Sequence, residues 1–222
     1  MNPALTVIDE REDLLVFDKP CGLLSVPGRG PDKQDCLSSR AIARWPDAKV
    51  VHRLDMDTSG LIVMARGLEM QRALSQAFAD RRTAKTYTAV VWGNLRHPGE
   101  PDAWHTIDAP LIVDWPNRPK SKVCGETGKP STTLWRAVDD PNLPLDRTRL
   151  ELRPITGRSH QLRVHLLSIG HPILGDPLYG PGFGGSDAVC RAAPRLLLHA
   201  TELRLEHPST GVALDWTSPA PF

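Results

Sequence analysis

Hydrophobic and polar positions alternate along much of this chain, and each change of period marks a change of element. Near the N-terminus, LTVIDE, a short acidic turn and LLVFDKP give two strand-like stretches, broken by Pro20 and Gly22. GLLSVPGRGPDKQD then reads as a Gly- and Pro-rich loop. Residues 36–45 are expected to form a short helix that stops before Pro46. LIVMA (61–65) is a continuous apolar run of the kind a buried strand shows. The clearest helix follows. Met70, Ala73, Leu74, Ala77 and Phe78 recur at helical spacing, with Arg72, Gln76 and Asp80 on the opposite side. TYTAVVWG (86–93) has the β-branched and aromatic content of a strand and ends at Gly93.

Residues 94–131 are rich in Pro, Gly and charge and look like an excursion from the core, with APLIVDW as a short apolar piece inside. Strand patterns return at TTLWRAV (132–138) and RLELRPI (149–155). RSHQLRVHLLSIG then reads as a helix with Leu162, Leu166 and Ile169 on one side and Gly170 as its stop. LLLHATELRLEHP (196–208) alternates as a strand. Helices and strands intermingle without a regular βαβ rhythm, which predicts an α+β fold with a mixed, largely antiparallel sheet and flanking helices and loops.

Composition narrows the picture only in places. The 222 residues suffice for one substantial core, or at most two small ones, and no apolar run approaches the roughly 20 residues that a membrane span requires. The acidic beginning lacks the layout of a secretory signal, so a cytoplasmic address is expected. Cys21, Cys36, Cys124 and Cys190 are widely spaced, with no CxxC pair, and neither a zinc site nor a disulfide framework is expected. Net charge is +1, so any affinity for polyanions must come from local patches. Two sets of cations have no acid among them in sequence: Arg118, Lys120 and Lys122, and Arg153, Arg158 and Arg163. Each is either a phosphate-binding face or a solvated surface.

Two segments concentrate the chemistry. VHRLDMDTSG (51–60) sets two carboxylates, an arginine, a histidine and two hydroxyls just before the buried run. An aspartate there can be a nucleophile, a general base or a metal ligand, or the segment can be a plain turn. PITGRSHQLRVH (154–165) places Gly157 ahead of a helix start, where backbone N–H groups can receive an anion, with Arg158 and Arg163 as donors. His160 and His165, five apart, do not share a helix face and read as hydrogen-bonding or packed histidines rather than a metal pair.

These residues also carry a resemblance. HRLDMDTSG (52–60) is similar to the central motif HRLDxxTSG of a large pseudouridine synthase family whose members modify ribosomal and transfer RNA. DKPCGLLSVPG (18–28), AKTYTAVVWG (84–93), LRPITGRSHQLRVHLLSIGHPILGDPLYG (152–180) and LLLHATELRLEHP (196–208) resemble the family's other motifs, in the same order. The resemblance implies that Asp55 is the catalytic aspartate, Tyr87 the active-site tyrosine and Arg158 the arginine that pairs with the aspartate. Arg53 is then the residue that enters the RNA as the target base leaves its stack. His52, Arg118, Lys120, Lys122, His160 and Arg163 are expected as RNA contacts. Residues 114–130 are similar to a subgroup of dual-specificity bacterial enzymes acting on large-subunit rRNA and on the tRNA anticodon loop.

The resemblance further implies one pseudouridine synthase catalytic domain over residues 1–222. The first motif begins near Asp18, so no N-terminal S4-type RNA-binding domain is expected. The expected partner is structured RNA, in rRNA and tRNA hairpin loops, bound by a monomer that needs neither metal nor cofactor. A relative acting on another uridine, or a non-catalytic RNA-binding protein, are the rival readings.

Overall fold

The computed structural model describes residues 5–95 and 103–222. Part of the expected excursion, residues 96–102, lies outside the described residues. In chain order the elements are β1 (Thr6–Glu10), β2 (Leu14–Lys19), α1 (Leu37–Arg44), β3 (Ala48–Val50), β4 (Ser59–Arg66), α2 (Leu68–Ala79) and β5 (Thr83–Trp92). They continue with β6 (His105–Asp108), β7 (Leu111–Val113), β8 (Ser121–Val123), β9 (Thr132–Val138), β10 (Arg147–Pro154) and α3 (Gln161–Ser168). The last are α4 (Ala188–Arg191), β11 (Leu198–Glu206) and β12 (Ala213–Thr217). The backbone divides into two compact units. One runs up to Lys85 and is joined by His199–Pro221; the other holds Thr86–Leu198.

In the first unit, β2 lies antiparallel between β1 and β4, β3 pairs with β4, and β12 pairs with β11. The pairing of β4 with β11 is parallel, which makes the sheet mixed. One face of these strands, with Leu14, Val16, Leu61 and Val63, packs against Met70 and Leu74 of α2 and against Leu203, Leu214 and Trp216. The alternate residues Leu15, Phe17, Ile62 and Met64 are buried as well. Burial on both faces is why β4 reads as an unbroken apolar run instead of an alternating one. In α2 the helical spacing acts as expected: Met70, Leu74 and Ala77 are buried.

The second unit is an antiparallel array in the order β5–β10–β9–β6, with β7 and β8 forming a separate hairpin. Here one face is solvated. Along β10, Thr148, Leu150 and Leu152 are buried while Arg147, Arg149 and Glu151 lie on the other side, so RTRLELRP alternates strictly. Leu162 and Leu166 of α3 close the inner face against Ala89, Val91, Trp135, Leu150 and Leu152. The α+β class and the mixed, largely antiparallel pairing are thus as the pattern predicts. The helix expected from residue 158 begins only at Gln161, because His160 adopts a left-handed conformation (φ 55°) and the residues before it form a loop. Gly170 ends that stretch with φ +83°, as expected.

One glycine decides how β4 begins. Gly60 has φ +109°, and a Cβ there would lie 2.4 Å from the carbonyl oxygen of Ala200, its partner on β11. Both strain and overlap oppose any side chain. Gly60→Ala is expected to lower unfolding free energy by roughly 3 kcal/mol or more. Gly125→Ala, whose methyl meets nothing within 4 Å, should stay within about 0.5 kcal/mol of wild type. Urea unfolding of the two variants checks both values.

Candidate active site

The loop between β3 and β4 carries His52, Arg53 and Asp55, and both peptide units beside Asp55 are pinned. On one side, Leu54 donates its N–H to Ser25 Oγ (3.1 Å), and its carbonyl accepts the Ser25 hydroxyl (2.7 Å). On the other, the Met56 carbonyl accepts the Gly22 N–H (2.9 Å) and Lys19 Nζ (2.9 Å). Lys19 is wholly buried and also donates to the carbonyls of Leu23 (2.7 Å) and Pro20 (2.9 Å). Three carbonyls match its three N–H groups. The Asp55 carbonyl accepts the Thr58 N–H (3.2 Å) and closes the turn. Asp55 is half-buried and Arg53 is exposed. The first sequence motif, 18–28, therefore serves as a brace for the second, a role that spacing alone does not reveal.

Just beyond, a buried polar chain fastens the start of β4. Ser59 Oγ lies 2.8 Å from His199 Nδ1, His199 Nε2 lies 3.2 Å from both Oγ and the carbonyl oxygen of Ser218, and Ser218 Oγ donates to Asp18 Oδ2 (2.8 Å). A carbonyl can only accept, so Nε2 carries the proton, and Nδ1 then accepts from Ser59. Ser59 is one of the two hydroxyls of the 51–60 segment, but spacing does not reveal that His199 is its partner. The signal available was a histidine inside an apolar strand pattern.

His52 does not present itself to a ligand. Its Nε2 accepts the Val63 N–H (3.1 Å) and its ring stacks on Phe78 (centroids 4.4 Å apart). Burial, reinforced by the nearby Lys85 charge, pushes its pKa down from 6.5 to about 3. It is a neutral group whose ring is packed on Phe78.

Tyr87 and Arg158 belong to the second unit. Tyr87 sits on β5 opposite Leu152 and packs beside the inner core. Arg158 is exposed on the loop ahead of α3. That loop is organised by Gln161, a residue the motif contains but the sequence did not single out. Its buried amide oxygen accepts the Thr156 hydroxyl (2.7 Å) and the Arg158 N–H (3.0 Å). Its amide nitrogen donates to the Thr132 carbonyl (3.0 Å) and to Thr133 Oγ1 (3.0 Å). His160 Nδ1 lies 2.8 Å from the Tyr179 hydroxyl, and His165 lies between Thr133 Oγ1 and the Ala109 carbonyl. Both are packed, hydrogen-bonded histidines, as the five-residue spacing suggests.

The two basic sets fare differently on folding. Arg163 is 2 % exposed and makes a two-point pair with Asp176 (2.7 and 2.6 Å), so it cannot reach RNA. Its place on a helix start suggested a donor, but the carboxylate that claims it lies 13 residues on. Arg153 lies on the solvated face, paired with Glu151 (3.0 Å) and set over Trp104. Arg118 stacks on Trp115 (3.8 Å) and both are exposed. Lys122 pairs with Asp114 (3.1 Å) across the β7–β8 hairpin, so an acid does accompany this set in space. Lys120 and Lys122, with Val164, Leu167 and Phe183, line an open groove of about 410 Å³.

A family model described as RNA pseudouridylate synthase matches residues 13–168. The chain belongs to that family. Dual-specificity RNA pseudouridine synthase RluA of Escherichia coli K12 is 47 % identical over 221 residues, covering 99 % of this chain and 95 % of its own. The protein of the same name from Yersinia pestis is 46 % identical, over 98 % of this chain and all of its own. Among solved structures, human RNA pseudouridylate synthase domain containing 1 superposes with a TM-score of 0.75 at 28 % identity, over 100 % of this chain and 87 % of its own. The activity is accordingly that of a pseudouridine synthase, an isomerase that converts uridine to pseudouridine.

His52 supplies a test of its environment. Its folded-state pKa lies below the unfolded value of 6.5, so the unfolded chain binds the extra proton first as pH falls. Its contribution to stability is complete above 6.5 and is lost progressively toward about 3. Gln in its place keeps an acceptor for the Val63 N–H and cannot titrate. His52→Gln should show a shallower fall of the thermal midpoint across that window than wild type. Melts at pH 7, 5 and 4 compare the two slopes.

Proposed function

We propose that this enzyme isomerises uridines in two RNAs, a large-subunit rRNA hairpin and the tRNA anticodon loop. What carries the reading is 47 % identity over nearly the whole chain to enzymes named for dual specificity. Residues 114–130, which form the exposed Trp115–Arg118 stack and the lysines beyond it, resemble that subgroup too. A catalytic domain acting alone and as a monomer in the cytoplasm grips a local piece of RNA. Hairpin loops suit it, because their bases can be splayed and stacked without opening a duplex.

Roles follow from motif position and local geometry. The target uridine leaves its stack, and Arg53, exposed beside Asp55, fills the gap. The N1–C1′ bond breaks, uracil turns, and C5 bonds to C1′; C5 gives up its proton and N1 gains one. Asp55 acts at the sugar, either by attacking it or by assisting loss and recapture of uracil. Its pinned backbone, with Leu54 and Met56 held on either side, fixes where its carboxylate stands. Tyr87 stacks on uracil and assists removal of the C5 proton. Motif position assigns Arg158 the part of charge partner to the catalytic aspartate, and its loop is held by the Gln161 hub. Arg118, Lys120 and Lys122 hold loop phosphates. Arg163 is left out of the RNA-binding set, since its buried guanidinium pairs with Asp176, while His52 and His160 each have one ring nitrogen engaged within the protein.

Asp55→Asn should fold, bind RNA and form no pseudouridine. Tritium release from 5-³H-uridine RNA measures the loss, and turnover near the wild-type rate refutes the role. The same assay on the two hairpins side by side tests dual specificity, which fails if only one is modified at any enzyme concentration.

Arg158→Ala should lower turnover by a hundredfold or so, on the order of a lost positioned charge partner, with little change in RNA affinity. Single-turnover rates set against equilibrium binding make the distinction. A pure affinity defect with a steeply altered salt slope would make Arg158 a phosphate contact instead.

A further inference from the structure

Lys85 lies on β5 two residues before Tyr87, hence on the same side of that strand. It is half-buried, and its ammonium stands 5.8 Å from the centre of the Phe78 ring, the ring on which His52 is stacked. This cation thus adjoins the segment that carries Arg53 and Asp55. Other enclosed cations in the protein are compensated: Lys19 by three carbonyls, Arg163 by a carboxylate. Among the described residues no carboxylate pairs with Lys85, and burial alone holds its pKa below the ordinary lysine value. Its charge further depresses His52, which stays neutral beside it. A partly desolvated ammonium without a counter-ion costs stability in the free protein. The cost is recovered when an anion arrives.

We propose that Lys85 is a phosphate-binding residue of the RNA site, taking a backbone phosphodiester oxygen next to the nucleotide that enters beside Arg53 and Asp55. The proposal rests on the reading that residues 52–60 receive the target uridine. The phosphodiester is the anion that such a nucleotide brings with it. An ammonium suits it as a compact point charge with rotatable donors. His52, being neutral, adds no further positive charge beside Lys85.

The test uses the full chain and a fluorescent anticodon-type hairpin RNA, with binding followed by anisotropy from 50 to 300 mM KCl. Lys85→Met should reduce the slope of log affinity against log salt by about 0.7 to 0.9, the signature of one lost phosphate contact. Lys85→Arg should retain the slope. The thermal midpoint of Lys85→Met without RNA should equal or exceed that of wild type, because an uncompensated charge has been removed. Should Lys85→Met fail to fold, Lys85→Gln provides the same comparison.

An unchanged slope in the neutral variant overturns the proposal: the side chain then merely lays its stem along Phe78 with its head in water. A variant with normal binding but lowered turnover overturns it as well, since Lys85 would then serve the chemical step. Pseudouridine formation by wild type on the same hairpin is scored separately. If wild type forms pseudouridine and the slope does not move, the phosphate contact fails and the assigned reaction stands. If the slope falls by one contact and wild type forms none, the assigned reaction fails.

Discussion

A buried ammonium group holds the reactive loop in place. Lys19 ends β2 inside the first unit, where leaving its charge unsolvated would cost several kcal/mol. Three carbonyls meet it, from Pro20, Leu23 and Met56. Two belong to the loop that follows β2 and one to the loop of Asp55, so satisfying one charge ties two distant segments together. Arginine would not substitute well, since its planar fork cannot point three donors at three converging carbonyls. Ser25 repeats the device with a hydroxyl, which both donates to and accepts from Leu54. Asp55 sits between these two fixed points.

The second unit solves the same problem with other groups. Gln161 saturates its amide with two acceptances and two donations, and in doing so shapes the loop on which Arg158 stands. Arg163 and Asp176 fix the next segment, because the carboxylate also accepts the N–H groups of Leu178 and Tyr179. In both units the residues assigned to chemistry are exposed or half-buried, whereas those that orient them are buried and fully bonded. Precision at the surface is supplied from within.

Much of this was legible in the chain. Apolar periodicity located β4, α2, β5, β9 and β10, because each buries a continuous or alternating face that the residues themselves spell out. Short elements were missed, such as β3, β12 and the β7–β8 hairpin. With three to five residues each, they present too few positions to establish a period. The start of α3 was placed too early, since nothing in RSHQ betrays the left-handed turn at His160. Ordered motifs pointed to Asp55, Tyr87 and Arg158 by kind. The supporting residues were invisible because their partners lie far along the chain: Ser25 bonds across 29 residues and Ser59 across 140. Arg163 was misjudged for a related reason. An arginine at a helix start looks the same in sequence whether it faces solvent or a buried aspartate.

The first unit is discontinuous in sequence: its sheet needs β11 and β12, which follow the long Thr86–Leu198 stretch of the second unit. A chain emerging from the ribosome can complete the second unit, while the strand that begins just after Asp55 still waits for its parallel neighbour. Until residues 199–217 are made, β4 has an open edge and Ser59 has no histidine beside it. The loop bearing the aspartate therefore gains its full support only once residues 199–217 have been added. A nascent or truncated chain that lacks residues 199–217 carries the motif in full without the frame that aims it.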